Sequence, residues 1–81
     1  MALAAAVLPL VGGLANVLAV EACSSRLRLT LRDDALGQQD ALQTLPGVLM
    51  VLTQGGQLQV ALGARAGLVC REVRRMLDLA R

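Results

Sequence analysis

Residues 26–32 read Arg-Leu-Arg-Leu-Thr-Leu-Arg, and this alternation constrains the chain more than anything else in it. Period-two spacing puts Leu27, Leu29 and Leu31 on one side of an extended strand, with Arg26, Arg28, Thr30 and Arg32 on the other. Such a strand is wet on one side only. It therefore belongs to a sheet with one face on a core and one toward water, the habit of antiparallel rather than parallel sheets.

The remaining elements assemble around that strand. Residues 2–11 are rich in Ala and Leu and predict a helix, with Pro9 an awkward interior residue and Gly12-Gly13 as its stop. Residues 16–22 predict a strand in which Leu18, Val20 and Ala22 face the core while Glu21 and Cys23 face away. Asp33 to Gly37 is a polar break, and residues 38–44 form a short helix stopped by Pro46 and Gly47. The apolar run 48–53 predicts a strand buried on both faces or held centrally in the sheet. Gly55-Gly56 supplies a two-residue hairpin turn into residues 57–62, where Leu58, Val60 and Leu62 alternate with Gln57, Gln59 and Ala61. Residues 64–80 form a last helix whose apolar stripe is Leu68, Val69, Val73, Met76, Leu77 and Ala80, with Arg71, Arg74, Arg75 and Asp78 on its wet side. Two hairpins separated by helices predict an α+β fold: one four-stranded antiparallel sheet with three helices on one face, a single unit over residues 1–81.

Composition removes several classes of function. There is no Phe, Tyr or Trp on which bases could stack, and a net charge of +2 is too small to imply a nucleic-acid partner. No His is present, so any imidazole chemistry or histidine-bound metal must be supplied from outside, and neither a metal nor a cofactor is expected. Two cysteines in a chain of this size make no disulfide framework, so both are read as reduced thiols in a cytosolic setting. The uncharged residues 1–20 ahead of Cys23 raise the rival reading of a lipoprotein signal, with residues 1–22 removed. Against it, no Lys or Arg precedes the apolar run. Gly12, Gly13 and Asn16 also interrupt that run, and Glu21 stands where a small residue belongs.

The chemistry concentrates in EACSSRLRL, residues 21–29. If Ser24-Ser25 is the hairpin connection, Cys23 comes opposite Arg26 and Glu21 opposite Arg28; Ser-Ser is a poor choice for a tight primed turn, so a wider loop stays open. A thiol beside guanidinium groups is enriched in the nucleophilic thiolate. Paired arginines and loop N–H groups also suit the near-double charge of a phosphoryl group carried on sulfur. The plain alternative is that Cys23 packs in a core and the arginines are a solvated face. Cys70, between Val69 and Arg71, has no comparable surroundings and reads as structural.

The stretch GGLANVLAVEACSSRLRLTLRD resembles the active-site region of the IIB domain of the bacterial phosphoenolpyruvate-dependent sugar phosphotransferase system, glucose and N-acetylglucosamine branch. That family shows Gly-Gly, then Asn-Ile, then Asp-Ala-Cys, any residue, Thr-Arg-Leu-Arg. Here Glu21 replaces the Asp and Ser25 the Thr, keeping the charge and the hydroxyl. Downstream, residues 47–53 resemble the family's apolar strand and Gln59-Val60-Ala61-Leu62-Gly63 its Gln-to-Gly segment. The resemblance implies that Cys23 accepts a phosphoryl group from a phosphohistidine on a IIA partner and passes it to a sugar held by a membrane IIC domain, on the cytoplasmic side of the inner membrane. It implies catalytic roles for Cys23, Arg26 and Arg28, with Glu21, Ser24, Ser25 and Gln59 in support. The competing function is a non-catalytic regulatory or binding module that docks a partner through the arginine-bearing face.

Overall fold

A computed structural model describes residues 2–81. Helix α1 (Ala2–Leu10) leads through a one-turn 3-10 segment into strands β1 (Val17–Cys23) and β2 (Arg26–Leu31). Helix α2 (Gln39–Gln43), strands β3 (Met50–Gln54) and β4 (Gln57–Ala61) and helix α3 (Ala66–Ala80) follow. All neighbouring strands are antiparallel, in the order β1-β2-β4-β3. Helix α3 crosses β1 and β2, α1 packs on α3, and α2 lies beside α1 and β3. The α+β architecture expected from the alternation in β2 is the one observed.

The core is aliphatic. Val7, Val11, Val17, Leu27, Leu29, Leu42, Val60, Val69 and Val73 are fully buried. With no aromatic ring to fill volume, β-branched and leucyl side chains interdigitate between the sheet and the helices, and each full burial contributes about 1.5–3 kcal/mol. Leu27, Leu29 and Leu31 are buried and Arg26, Arg28 and Thr30 half-buried, as their parity predicts.

The turn after α1 is held by one amide. Asn16, 3% exposed, donates Nδ2 to the Val11 carbonyl at 2.7 Å and to the Asp33 carbonyl at 3.0 Å, and its Oδ1 accepts from the Asp33 N–H at 2.9 Å. Those bonds tie the segment entering β1 to the segment leaving β2. Gly12 makes room for them: φ is +94°, and a Cβ there would lie 2.9 Å from both Cβ and Nδ2 of Asn16. Any side chain at position 12 therefore meets strain and collision together.

Several expectations are corrected. The apolar run 48–53 is not a central strand, because β4 pairs with both β2 and β3 and leaves β3 at the sheet edge, with Met50 50% exposed and Leu49 beside it 69% exposed. Gln43 covers that edge, accepting from the Val51 N–H at 3.0 Å. In β1 the register shifts between Val17 and Ala19, a bulge that reverses parity. Val17 is buried and Leu18 is 42% exposed, rather than Leu18 facing the core. Ala22, also expected inward, is exposed near the end of this edge strand. Helix α3 starts at Ala66 after a 3-10 turn over Gly63–Arg65, and its buried stripe is Ala66, Val69, Cys70, Val73 and Leu77. Leu68 falls off that i, i+3, i+4, i+7 row and is 53% exposed, and Ala80 is exposed in the last turn. Arg74 reaches back from α3 to donate to the Val20 carbonyl at 2.8 Å, so it guards the free edge of β1 rather than merely facing water.

Candidate active site on the open face of the sheet

The tight-turn option is the one observed: β1 ends at Cys23, β2 begins at Arg26, and Ser24-Ser25 is the whole connection. The cost appears at Ser24, the one non-glycine residue with positive φ (57°) among the described residues. A serine held there is strained by roughly 1–3 kcal/mol unless its surroundings enforce the shape. The surroundings are visible. The Ser25 carbonyl accepts from the N–H of Leu62 at 2.9 Å and of Gly63 at 3.1 Å, anchoring the hairpin tip to the end of β4.

Register then lays out the site. Cys23 is paired with Arg26, Arg26 with Ala61, and Ala61 with Met50, forming one row across the sheet. The next row on the same face is Glu21, Arg28, Gln59 and Leu52. Directly paired residues project to the same side, so both rows stand on the face opposite the leucines of β2, away from the helices. Cys23, Ser24, Ser25 and Glu21 are exposed. Arg26 and Arg28 are half-buried. The core reading of Cys23 is excluded. It is Cys70, 5% exposed on α3, that packs as a small apolar residue.

Gln59 departs from its expected exposure. It is 4% exposed, and its Oε1 accepts from Arg26 Nη1 at 3.1 Å. The guanidinium beside the thiol is thereby steered by a carboxamide from the neighbouring strand. Nothing local in the sequence around Gln59 announces this, because the contact exists only once β4 pairs with β2. Arg28 Nε is buried and takes no hydrogen-bond partner. A buried donor left without a partner is costly, and this one lies in the row next to the sulfur. Glu21 accepts from Gln57 Nε2 at 2.9 Å, which keeps its carboxylate over the Glu21–Gln57 side of the face. Thus the structure brings together Cys23 and Arg26 in one row and Glu21, Arg28 and Gln59 in the next, and uses Ser24 and Ser25 as the connection.

A cavity of about 530 Å³ lies behind β1, lined by Glu21, Ala22, Cys70, Arg71, Arg74 and Arg75 among others, but Cys23, Arg26 and Arg28 take no part in it. The sulfur stands on an open surface.

A family model described as the phosphotransferase system, EIIB, matches residues 5–36, which contain Gly12, Asn16, Cys23, Arg26 and Arg28. The β-glucoside-specific EIIBCA component of Dickeya chrysanthemi is 39% identical over 71 residues, 88% of this chain and 11% of that protein. The chain belongs to the EIIB family of the phosphotransferase system. A second relative, the N-acetylmuramic acid-specific EIIBC component of Vibrio cholerae, is 48% identical over 59 residues, 73% of this chain and 12% of that protein. The EIIB chain thus spans only about a tenth of the length of these curated relatives. Its fold is shared with the crystal structure of one domain of the phosphotransferase system IIabc component from Clostridium difficile. That likeness has a TM-score of 0.75 at 20% identity and covers 96% of this chain and 78% of the other. Among the described residues, no helix of this EIIB chain is long and apolar enough to cross a membrane.

Proposed function

We propose that residues 1–81 act as one phosphoryl relay in which Cys23 is the carrier atom. In the first half-reaction the Cys23 sulfur attacks the phosphorus of a phosphohistidine on an A component. The S–P bond forms, the P–N bond breaks, and the electron pair leaves with the imidazole, which takes up a proton. In the second, a sugar hydroxyl oxygen held by a C component attacks that phosphorus. The O–P bond forms, the S–P bond breaks, and the pair returns to sulfur while the hydroxyl proton goes to a base. Phosphoryl transfer asks chiefly for alignment and for positive charge around the equatorial oxygens. Arg26 supplies that charge in the row of the sulfur, and Arg28 in the row beside it.

The observation that carries this reading is the pairing of an exposed Cys23 with Arg26 on the face away from the helices. An A-component donor and a C-component acceptor are supported by the lack of any histidine in this chain and by its match to EIIBCA and EIIBC proteins. The relay works on the cytosolic face of the membrane that holds the C component. For the sugar we favour a gluco-configured pyranose. Glucose and N-acetylglucosamine, implied by the motif, share that ring with the β-glucosides and N-acetylmuramic acid named for the relatives.

Incubation with a phosphorylated A component tests the assignment. Label is expected on Cys23 in the native chain and in Cys70→Ser, and label retained undiminished in Cys23→Ser would sink it.

A further inference from the structure

The edge strand β3 carries a feature that phosphoryl transfer alone does not need. Met50 lies in the row of Cys23 and Arg26, Leu52 in the row of Arg28 and Gln59, and both stand on the open face. Met50 is 50% exposed and Leu49 69% exposed. Leu49 belongs to the same end of the sheet as the hairpin. Its Cδ1 is 3.8 Å from where a Cβ on Gly63 would be, and Gly63 itself donates to the Ser25 carbonyl. Met50 and Leu52 therefore form an apolar ledge along one side of the open face, continued by the exposed Leu49 at the hairpin end of the sheet, with the thiol on the far side and two arginines between.

The spacing has a consequence. Three inter-strand steps of about 4.8 Å put the ledge about 14 Å from the Cys23 strand. A standard protein interface buries about 800 Å² per partner, a footprint roughly 30 Å across. A protein that brings phosphorus into bonding range of Cys23 while lying across the sheet reaches the ledge as well. The charge pattern selects what can land there: an anionic group over Arg26 and Arg28, flanked by apolar surface over Leu49 and Met50. Apolar side chains retained at an exposed edge that Gln43 otherwise closes with hydrogen bonds fit a surface covered part of the time.

The geometry points to the Leu49–Met50–Leu52 ledge as the docking contact for the phosphohistidine-bearing A component, an inference that rests on the relay reading. The donor seats apolar surface against β3 and thereby registers its phosphoryl group over the arginines. The ledge sets encounter and orientation, while Cys23, Arg26 and Arg28 perform the transfer.

The test uses the ¹⁵N-labelled chain and the unphosphorylated A component of the Dickeya chrysanthemi EIIBCA relative, so that docking is read without chemistry. Amide shifts are expected at residues 49–52 together with 23–28. The Leu49→Ser/Met50→Ser variant is expected to weaken the complex about tenfold. Its Cys23 alkylation rate with iodoacetamide and its circular dichroism should match the native chain, since both replaced side chains are exposed. Shifts confined to the hairpin, affinity unchanged in the variant, or no complex at all would overturn the inference. So would a self-association of the chain that the same substitutions abolish without any A-component binding, which would give the ledge to a second copy. Labelling of Cys23 with silent β3 amides defeats the ledge and leaves the relay. Docking on the ledge without label does the reverse.

Discussion

Replacing Asn16 with Ala should cost this domain a large part of its stability while leaving its chemistry intact. The side chain is 3% exposed and makes hydrogen bonds of 2.7, 3.0 and 2.9 Å to Val11 and Asp33. At about 1 kcal/mol net per bond the loss is about 3 kcal/mol, with little relief at the Val11 carbonyl because Val11 is fully buried. A chain of this length has roughly 4–12 kcal/mol in total. With an unfolding entropy of about 2.1 cal/mol/K per residue, that loss lowers Tm by about 18 °C. Asn16→Asp separates hydrogen bonding from volume. It keeps the acceptor for the Asp33 N–H but sets a carboxylate against two carbonyls, and is expected to be at least as damaging as Ala. Far-UV circular dichroism is the readout, since the chain has no aromatic residue to report by fluorescence. Asn16 sits at the Val17–Leu31 end of the hairpin and Cys23 at the other, so the folded fraction should accept phosphoryl groups at the native rate. A Tm loss under about 5 °C for Ala, or an Asp variant as stable as the native chain, would refute the clamp.

Gln59→Leu keeps the volume but removes the acceptor that steers Arg26, and should lower the rate of phosphoryl transfer to Cys23 about tenfold with KM nearly unchanged. Stopped-time labelling measures it, and the same loss in an Arg26→Leu background would show the two act separately. Glu72 titrates at about 2 rather than 4.5, chiefly through the hydrogen bond from Arg75, with Arg75's charge adding to it. A folded-state value below the unfolded one means the unfolded chain binds the extra proton first. The stability contribution is then complete above about pH 4.5 and lost as pH falls toward 2. Urea midpoints measured across that window should flatten in Glu72→Gln.

The fold was readable where one element determines its own surroundings. The alternation in β2 names its wet face, the Gly55-Gly56 turn, at φ 60° and 76°, names a hairpin, and the pairing of Cys23 with Arg26 follows from a two-residue loop. What lay hidden depends on which strand becomes whose neighbour. The residues of β3 look as buried as those of any central strand. Only the fact that β4 returns between β2 and β3 exposes Met50 and buries Gln59, and no pattern inside either segment carries that information. Leu18 was lost to a one-residue bulge, which reverses parity without leaving a mark in composition.

The same rule separates the two arginines. Their spacing in β2 puts both on the face of the sulfur, which the sequence states directly. Their difference is tertiary: Arg26 is held by Gln59, while Arg28 keeps a buried Nε without a partner. A fixed guanidinium in the thiol's own row suits a charge that is always wanted there. The Arg28 guanidinium in the next row is not fixed in this way, and its buried Nε gains a partner only if the side chain shifts. On the relay reading the two arginines are therefore not duplicates: Arg26 is expected to stay fixed by Gln59 when the sulfur is loaded, and Arg28 to be the one that changes its bonding.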